Sequence, residues 1–410
     1  MLPVFVVLVW LLVYALGVAG ISTAMGLGEL QALYTISAMA ALMLPFRSVW
    51  YIVLANKNHS RPHTGLLIQT AAEITIALLF LLLPRLSFQW FLVFLGIYFS
   101  FYTGLYVVNT IIFSRNRTFQ YMIPSLAQSV LFTILFWGLL LVPAHWRDQM
   151  VVYGSGFFLA LLGQAYVMDL LSVIIKNKDI AAAFRKVCLT LPGFASLRLP
   201  TQLLHTLQND GNPETADAEV FFCFGKGALG VTGHCELCVD GRTYTYGNYD
   251  PQSRVLFKTV GNGVIIRAKR ELRIQKLHQE GRTVISYGLR LSPEEKAQLT
   301  QNLADFQKTL TPWDAQAKQV PVHEYLSCVH KELDAQVFLI TKGQFQSYFI
   351  PTINCVTLTA NLLRGTSASH IVIPGVYTPG AYMDALHRQY ITGQSSVSSV
   401  HIYKPEEVEA

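Results

Sequence analysis

Long apolar runs in the first 175 residues constrain the fold of this chain more than any other feature. Runs such as LPVFVVLVWLLVYALGVAG approach the ~20 residues that a helix needs to cross a bilayer. Six runs predict transmembrane helices, at 3–20, 31–46, 65–83, 89–112, 121–142 and 151–175. The first run has no basic segment before it and no clear cleavage site, so we expect a retained helix and not a removed signal peptide.

The character of the sequence changes after Asp179, where charged residues become frequent. From residue 180 onward there are 22 Lys and Arg residues against 20 Asp and Glu residues, without a basic run with interleaved aromatic residues. A chain with balanced charge and no such basic run is not predicted to bind nucleic acid. We therefore predict three parts: a polytopic transmembrane domain at 1–179, a juxtamembrane connector at 180–215 and a soluble domain at 216–410.

Basic residues in the short loops predict the side of the membrane, because Lys and Arg favour cytoplasmic loops. The loops after the second, fourth and sixth predicted spans carry most of them: Arg47, Lys57, Arg61, Arg115, Arg117, Lys176 and Lys178. The opposite loops carry only Arg85 and Arg147. We therefore expect a multi-pass protein of a bacterial-type inner membrane, with the soluble domain in the cytoplasm.

Short alternating runs between residues 219 and 291, rich in β-branched and aromatic side chains, predict strands. Asp240-Gly241 between two of these runs is a strong signal for a β-hairpin. Ser292 as N-cap and Pro293 at the first helical position predict the start of a helix. A second helix is expected near 322–333. The soluble domain is thus predicted to be an α+β fold with an antiparallel sheet.

The segment YFIPTINCVTLTANLL at 348–363 contains the candidate nucleophile. Asn354 is the predicted N-cap of a helix from Cys355 to Arg364, and Gly365 suits its C-terminal turn. In the first helical turn, unpaired N–H groups and the helix dipole favour a thiolate and lower the thiol pKa from about 8.5. The same N–H groups could hold an oxyanion. The alternative interpretation of Cys355 is a buried structural thiol.

A thiolate nucleophile needs a histidine base within hydrogen-bonding reach. His234 is the candidate base, on the first strand of the predicted hairpin, where alternation puts it on one face with Glu236 and Cys238. The alternative is a strand histidine that only satisfies its own hydrogen bonds. Tyr246 is the candidate third, orienting residue, against a role as a core aromatic residue. Asn354 is a candidate oxyanion donor, against its role as a helix cap.

Four elements follow one another in a recognisable order: Gly233-His234, the run 246–250, the run 287–295, and Asn354-Cys355. This ordered set resembles the Lnb N-terminal periplasmic domain family, which is similar to the circularly permuted NlpC-type papain-like thiol enzymes. The resemblance covers roughly residues 220–365. It implies a papain-like soluble domain, a thioester acyl-enzyme, and amide hydrolysis or acyl transfer on lipoprotein or phospholipid substrates. It also implies a periplasmic domain, against the cytoplasmic side expected from loop charge.

Cysteine spacing leaves a zinc site as a further alternative. Cys235 and Cys238 are closely spaced, Cys223 is near them in sequence, and Cys328 and His330 follow later. A second closely spaced cysteine pair is missing, and strand alternation aims the first two cysteines at opposite faces. We therefore expect no metal and no cofactor.

The expected function is that of a membrane-anchored cysteine hydrolase or acyltransferase with Cys355 as nucleophile and His234 as base. An acyl-lipid, a lipoprotein or an amide at the membrane would be the substrate, with membrane lipids as partners and no nucleic acid. The rival is a non-enzymatic membrane sensor or scaffold whose soluble domain binds a ligand. Glu73 and Asp169, inside predicted spans, are the support for a third alternative, a transporter. The sequence leaves the oligomeric state open.

Overall fold

The structure, a computed structural model, describes residues 84–141, 209–225, 233–313, 325–369, 378–392 and 396–405, with separate positions between 71 and 83. Its helices are α1 (Pro84–Arg115), α2 (Phe119–Leu141), α3 (Arg270–Gln279), α4 (Pro293–Gln307), α5 (Tyr325–Leu333), α6 (Cys355–Leu362) and α7 (Pro379–Thr392). Its strands are β1 (Ala218–Phe224), β2 (His234–Val239), β3 (Arg242–Gly247), β4 (Val260–Asn262), β5 (Val264–Lys269), β6 (Thr283–Leu289), β7 (Leu310–Pro312), β8 (Gln336–Ile340), β9 (Ser347–Phe349) and β10 (Val397–Tyr403).

The predicted fold class, led by a membrane domain of about six transmembrane helices, is wrong for the described chain. Within the described ranges two helices are long and apolar enough to cross a membrane, with spanning windows at Gly96–Arg115 and Phe119–Gly138. A large antiparallel sheet dominates the rest. The sheet has this place because helices cover both of its faces, and every residue of β1 is buried.

Several sequence predictions lie outside the described residues. They are the predicted spans at 3–20, 31–46 and 151–175, most of the span at 65–83, and the carboxyl groups of Glu73 and Asp169. The predicted spans at 89–112 and 121–142 correspond to α1 and α2, with ends shifted by a few residues.

Contacts divide the chain into two compact units. The first comprises Met1–Tyr106 and Ala127–Pro192, and the second comprises Val107–Leu126 and Gly193–Ala410. The second unit therefore holds the turn that joins α1 to α2 as well as the sheet. Within this unit the Ser347 hydroxyl donates to Asn116 Oδ1 at 3.1 Å, and the Thr352 hydroxyl donates to Asn109 Oδ1 at 2.7 Å.

The main sheet has eight strands in the order β10-β6-β1-β2-β3-β5-β8-β7, and every neighbouring pair is antiparallel. Helix α3 covers one face, where Ile274 and Leu277 pack with Phe221 and Cys238. Helices α6 and α7 cover the other face, where Tyr382 makes an edge-on ring contact with Phe222. Because both faces are covered, polar residues of the central strands are buried as well, and Glu219 and Glu236 form ion pairs with arginines of α3.

Local signals in the sequence specify several elements correctly. Asp240 and Gly241 join β2 to β3 with positive φ angles of 50° and 68°, as a two-residue hairpin turn requires. Ser292 caps α4 in a reciprocal capping box with Glu295. The second predicted helix is present as Tyr325–Leu333.

Candidate active site

Cys355 is the first residue of α6, and its position follows from the cap before it. Asn354 Oδ1 accepts hydrogen bonds from the N–H groups of Val356 at 3.0 Å and Thr357 at 3.2 Å. The Thr357 hydroxyl accepts in return from the Asn354 N–H at 2.9 Å. This reciprocal cap fixes the start of the helix and leaves the Cys355 N–H as one of the donors that have no intrahelical acceptor.

The pairing between strands β2 and β3 stops short of the first residues of β2, next to the thiol of Cys355. Strand β2 pairs with β1 as far as His234, but its pairing with β3 begins only at Glu236 opposite Thr245. At this end of β2, the backbone N–H of Cys235 hydrogen bonds to the sulfur of Cys355. The thiol therefore lies beside the backbone of β2, one residue along the chain from His234.

The pKa of the Cys355 thiol is high because burial outweighs the donors around the sulfur. Burial raises the pKa of the thiol to about 11, while the N–H groups of Cys235 and Val356 and the Tyr348 hydroxyl lower it. The side chain is only 4% exposed. The predicted low pKa is thus wrong for the resting protein, because dehydration of the thiolate outweighs its hydrogen bonds.

His234 is half-buried at the start of β2, and its imidazole is neutral near pH 7. Burial lowers the pKa of His234 to about 4, against the opposing charge of Glu236. Its Nε2 is 3.5 Å from the Tyr249 hydroxyl, a long hydrogen bond. In this structure the ring bonds to Tyr249. Strand pairing puts His234 opposite Cys223 on the α3 face of the sheet, whereas the Cys355 sulfur lies beside the next residue, Cys235, so the predicted base does not contact the predicted nucleophile.

A buried ion pair supports the histidine side of β2. Glu236 and Arg273, here called the proximal ion pair, are 0% and 2% exposed, with Arg273 Nε 3.1 Å from Glu236 Oε2. Although burial raises the pKa of Glu236, the guanidinium of Arg273 lowers it below its usual value. Arg273 also donates to the Tyr325 hydroxyl at 3.0 Å, and the Tyr325 ring stacks on Tyr249 at 5.4 Å. The pair is thereby connected to the residue that bonds His234.

The structure places the remaining two predicted site residues in supporting positions. The Tyr246 hydroxyl donates to the backbone carbonyls of Phe345 at 2.9 Å and Ser347 at 3.1 Å, so it fixes the segment before Cys355 and does not orient His234. The Asn354 amide donates to the Ile350 carbonyl at 2.8 Å, while its oxygen caps α6. Both amide atoms of Asn354 are engaged in folding the loop, which assigns it the capping role.

The cysteines of β2 point to opposite sides of the sheet, as alternation predicts. Cys235 lies against α6, where it hydrogen bonds to Thr359, and Cys238 packs beside Leu277 of α3. Across the described ranges, which leave out the side chain of Cys328, the structure has no cluster of three or more metal-ligating side chains.

Sequence reasoning missed Tyr348, Tyr249 and Arg273. The Tyr348 hydroxyl donates to the Cys355 sulfur, and the Tyr249 hydroxyl bonds to His234. Arg273 forms an ion pair with Glu236, two residues after His234. Tyr249 belongs to the run 246–250 that carried the resemblance, which is the only sequence signal that could have selected it. Arg273 looks like any charged residue of an amphipathic helix until the sheet is assembled.

The second unit thus holds a thiol at a capped helix start, a neutral histidine on strand β2, and a buried ion pair linked to that histidine through Tyr325 and Tyr249. Comparison of the chain with known protein families, with curated proteins and with solved structures yields no match.

Proposed function

We propose that this chain is a membrane-anchored cysteine hydrolase or acyltransferase that works through a thioester acyl-enzyme on an acyl-lipid, a lipoprotein or an amide substrate. The position of Cys355 at a capped helix start, with the Cys235 N–H and the Tyr348 hydroxyl beside its sulfur, supports this proposal most strongly. A packing thiol needs no donors, whereas a sulfur that acquires negative charge during attack is stabilised by each of them.

The pKa directions favour general-base activation of the thiol. At neutral pH Cys355 is a thiol and His234 is a neutral imidazole, so His234 accepts the proton as sulfur attacks the substrate carbonyl carbon. The new S–C bond moves the carbonyl electron pair onto oxygen, and the Cys355 N–H would donate a hydrogen bond to that oxygen. Collapse expels the leaving group, which takes the proton from His234.

The second half of the reaction repeats these steps in reverse order. Water or an acceptor amine or alcohol attacks the thioester while His234 removes its proton, and the thiol regains that proton when the S–C bond breaks. The imidazole must turn from Tyr249 toward the sulfur for both halves. Hydrogen bonds of this kind are often long before substrate binds.

The membrane part of the proposal rests on α1 and α2, whose spanning windows are 20 residues each. The loop between them carries Arg115 and Arg117, which by the positive-inside rule favours the cytoplasmic side. The resemblance to a periplasmic family favours the other side. Labelling of a cysteine introduced at Ala410 with an impermeant reagent on intact cells decides between them.

The decisive experiment is to trap the acyl-enzyme in full-length protein. The chain in phospholipid vesicles with an acyl-lipid or a thioester donor should gain the mass of one acyl group, which neutral hydroxylamine removes. Cys355→Ser should lose this thioester, and Cys235→Ser, at a neighbouring buried thiol, should retain it. A hydroxylamine-sensitive adduct that persists in Cys355→Ser would assign the nucleophile elsewhere.

A non-enzymatic sensor or scaffold is the second candidate, favoured by the burial and high pKa of the thiol. An inert Cys355 would react with iodoacetamide no faster than Cys238 in the folded protein. Faster alkylation of Cys355 that rises on addition of an acyl substrate analogue would favour the enzyme.

A further inference from the structure

Exposed apolar side chains in the sheet-bearing part of the chain gather at one place. In the described ranges from residue 209 onward, the exposed large hydrophobic residues are Val255 at 55%, Leu256 at 49%, Phe257 at 97% and Ile350 at 47%. The Ile350 N–H donates to the Thr259 carbonyl at 3.1 Å, so the loop at 255–259 and the turn at Ile350 are neighbours. We call the four side chains the apolar tip.

The backbone of the apolar tip is held in an unfavourable conformation. Leu256, Phe257 and Lys258 have successive φ angles of 49°, 55° and 65°, a region that non-glycine residues rarely adopt. Hydrogen bonds fasten the loop at its base, from Val255 N–H to the Val260 carbonyl at 2.9 Å and from the Thr259 hydroxyl to the Leu256 carbonyl at 2.6 Å. The fold therefore holds Phe257 outward, away from its own core.

The direction of the apolar tip follows from contacts within the second unit. Ser347 hydrogen bonds to Asn116, and Thr352 bonds to Asn109, which is seven residues earlier and so about 10 Å back along α1. The chain from Ser347 to Thr352 therefore runs toward Val107, where α1 enters this unit. Because β4 is antiparallel to β9, the loop that precedes β4 projects in that same direction.

The surroundings of this end are apolar as well. Helix α1 exposes Ile111 at 61% and α2 exposes Ile123 at 62%, both within the spanning windows that end near the inter-helix turn. Lys258 is exposed beside the tip and carries the charge that favours phosphate headgroups. An apolar tip flanked by a cation matches the depth profile of a bilayer interface.

We propose that the apolar tip inserts into the lipid bilayer and holds the Cys355 loop at the membrane surface. The occupant is the acyl region of membrane phospholipid, with Lys258 at the headgroups. This inference rests on the proposed function in one respect, the crossing of a membrane by α1 and α2. It adds that the substrate reaches Cys355 from the lipid phase, because Ile350 of the tip is five residues before the nucleophile and accepts a hydrogen bond from its cap, Asn354.

Photo-crosslinking of the full-length chain tests this proposal. A benzophenone amino acid replaces Phe257, whose exposure leaves the fold intact, and the matched control replaces Asp240, an exposed residue at the other end of β2 from His234. Both chains are placed in vesicles of phosphatidylcholine with phosphatidylglycerol, irradiated and analysed by mass spectrometry. We expect about tenfold more phospholipid adduct at 257 than at 240, because burial of an aromatic side chain in lipid favours the inserted loop.

Equal phospholipid adducts at the two positions, or adducts at 257 that are mainly to protein, would overturn the proposal. The acyl-enzyme assay in the same vesicles separates this failure from failure of the proposed function. A thioester on Cys355 without lipid adducts at 257 removes the tip proposal alone. Lipid adducts without a thioester support the tip and count against the enzyme, and a chain that does not float with vesicles contradicts both.

Discussion

Two ion pairs join helix α3 to the sheet with the same chemistry and different burial. The proximal pair, Glu236 with Arg273, has side chains that are 0% and 2% exposed. The pair of Glu219 with Arg270, here called the distal ion pair, has side chains that are 9% and 19% exposed. Glu219 lies opposite Cys238, at the end of β2 remote from His234. The comparison therefore separates the surroundings of the candidate site from the rest of the same sheet.

The difference indicates that the proximal pair has a role beyond stability. Full burial of two charges costs more desolvation than partial burial, and a buried pair often stabilises a protein no better than apolar side chains of similar size. In the distal pair, Arg270 donates to the Tyr403 hydroxyl and Glu219 accepts from the Ser286 hydroxyl, and neither hydroxyl leads to the candidate site. In the proximal pair, Arg273 donates to the Tyr325 hydroxyl, the Tyr325 ring stacks on Tyr249, and the Tyr249 hydroxyl bonds to His234. We infer that this network positions the histidine.

Substitution of the thiol and of the imidazole should separate catalysis from packing most strongly. Cys355→Ser and His234→Ala should each lower the rate of acyl-enzyme formation by about 10³-fold or more, and the double variant should be no worse, because both changes disable one step. Cys238→Ser, beside the distal pair, should change only stability. Single-turnover acylation measures the rates. Additive losses in the double variant would show that the two residues do not act in the same step.

Alanine substitutions in the ion pairs should show a difference in unfolding free energy. Glu236→Ala leaves Arg273 buried and unpaired, and should cost about 3–5 kcal/mol. Glu219→Ala leaves a partly hydrated Arg270, and should cost about 1–3 kcal/mol. Thermal or denaturant unfolding of the full chain in detergent measures both. If Glu219→Ala is the more damaging change, burial does not distinguish the two pairs in the way proposed.

A fall in pH should lower the free energy of unfolding first through His234 and then through Glu236 of the proximal pair. The folded pKa of His234, about 4, is below its ordinary value of about 6.5, so the unfolded chain binds the proton first. The contribution to stability is complete above about pH 6.5 and is lost as pH falls toward 4. Glu236, whose folded pKa is lowered, loses its contribution as pH falls through that lowered value.

Matched variants test this assignment. His234→Gln should flatten the fall in stability between pH 6.5 and 4, whereas Glu219→Gln at the distal pair should retain it. The acid limb of kcat/KM should also be found near pH 4, because the free enzyme needs a neutral imidazole. An acid limb near pH 6.5 would mean that His234 is not the base or that its surroundings are more hydrated.

What the sequence could predict depended on how local each signal is. The N-caps at Asn354 and Ser292 and the hairpin at Asp240-Gly241 use backbone groups within a few residues, and all three predictions are correct. The apolar runs at 89–112 and 121–142 correspond to helices, while those at 3–20, 31–46 and 151–175 lie outside the described residues. The thiol pKa and the partners of His234 could not be predicted from the sequence. They depend on contacts between elements that are far apart in the sequence, namely β2, β3, α3 and α5.

The hydroxyls at the ends of the two networks give the smallest and most specific test. Tyr249→Phe removes the bond to His234 Nε2 and keeps the ring stacked on Tyr325, so the fold should be retained. Tyr403→Phe removes the corresponding bond to Arg270 of the distal pair, which is 2.9 Å long. The first change should lower kcat/KM by roughly fivefold, about 1 kcal/mol for one long hydrogen bond, and should shift the acid limb because the imidazole loses a partner.

The second change should leave the rate and the pH profile as they are, with at most a small loss of unfolding free energy. A purely structural role for Tyr249 predicts equal effects of the two changes on stability and no shift of the acid limb. That outcome would separate His234 from the proximal network, and the greater burial of Glu236 and Arg273 would then concern only the assembly of α3 on the sheet.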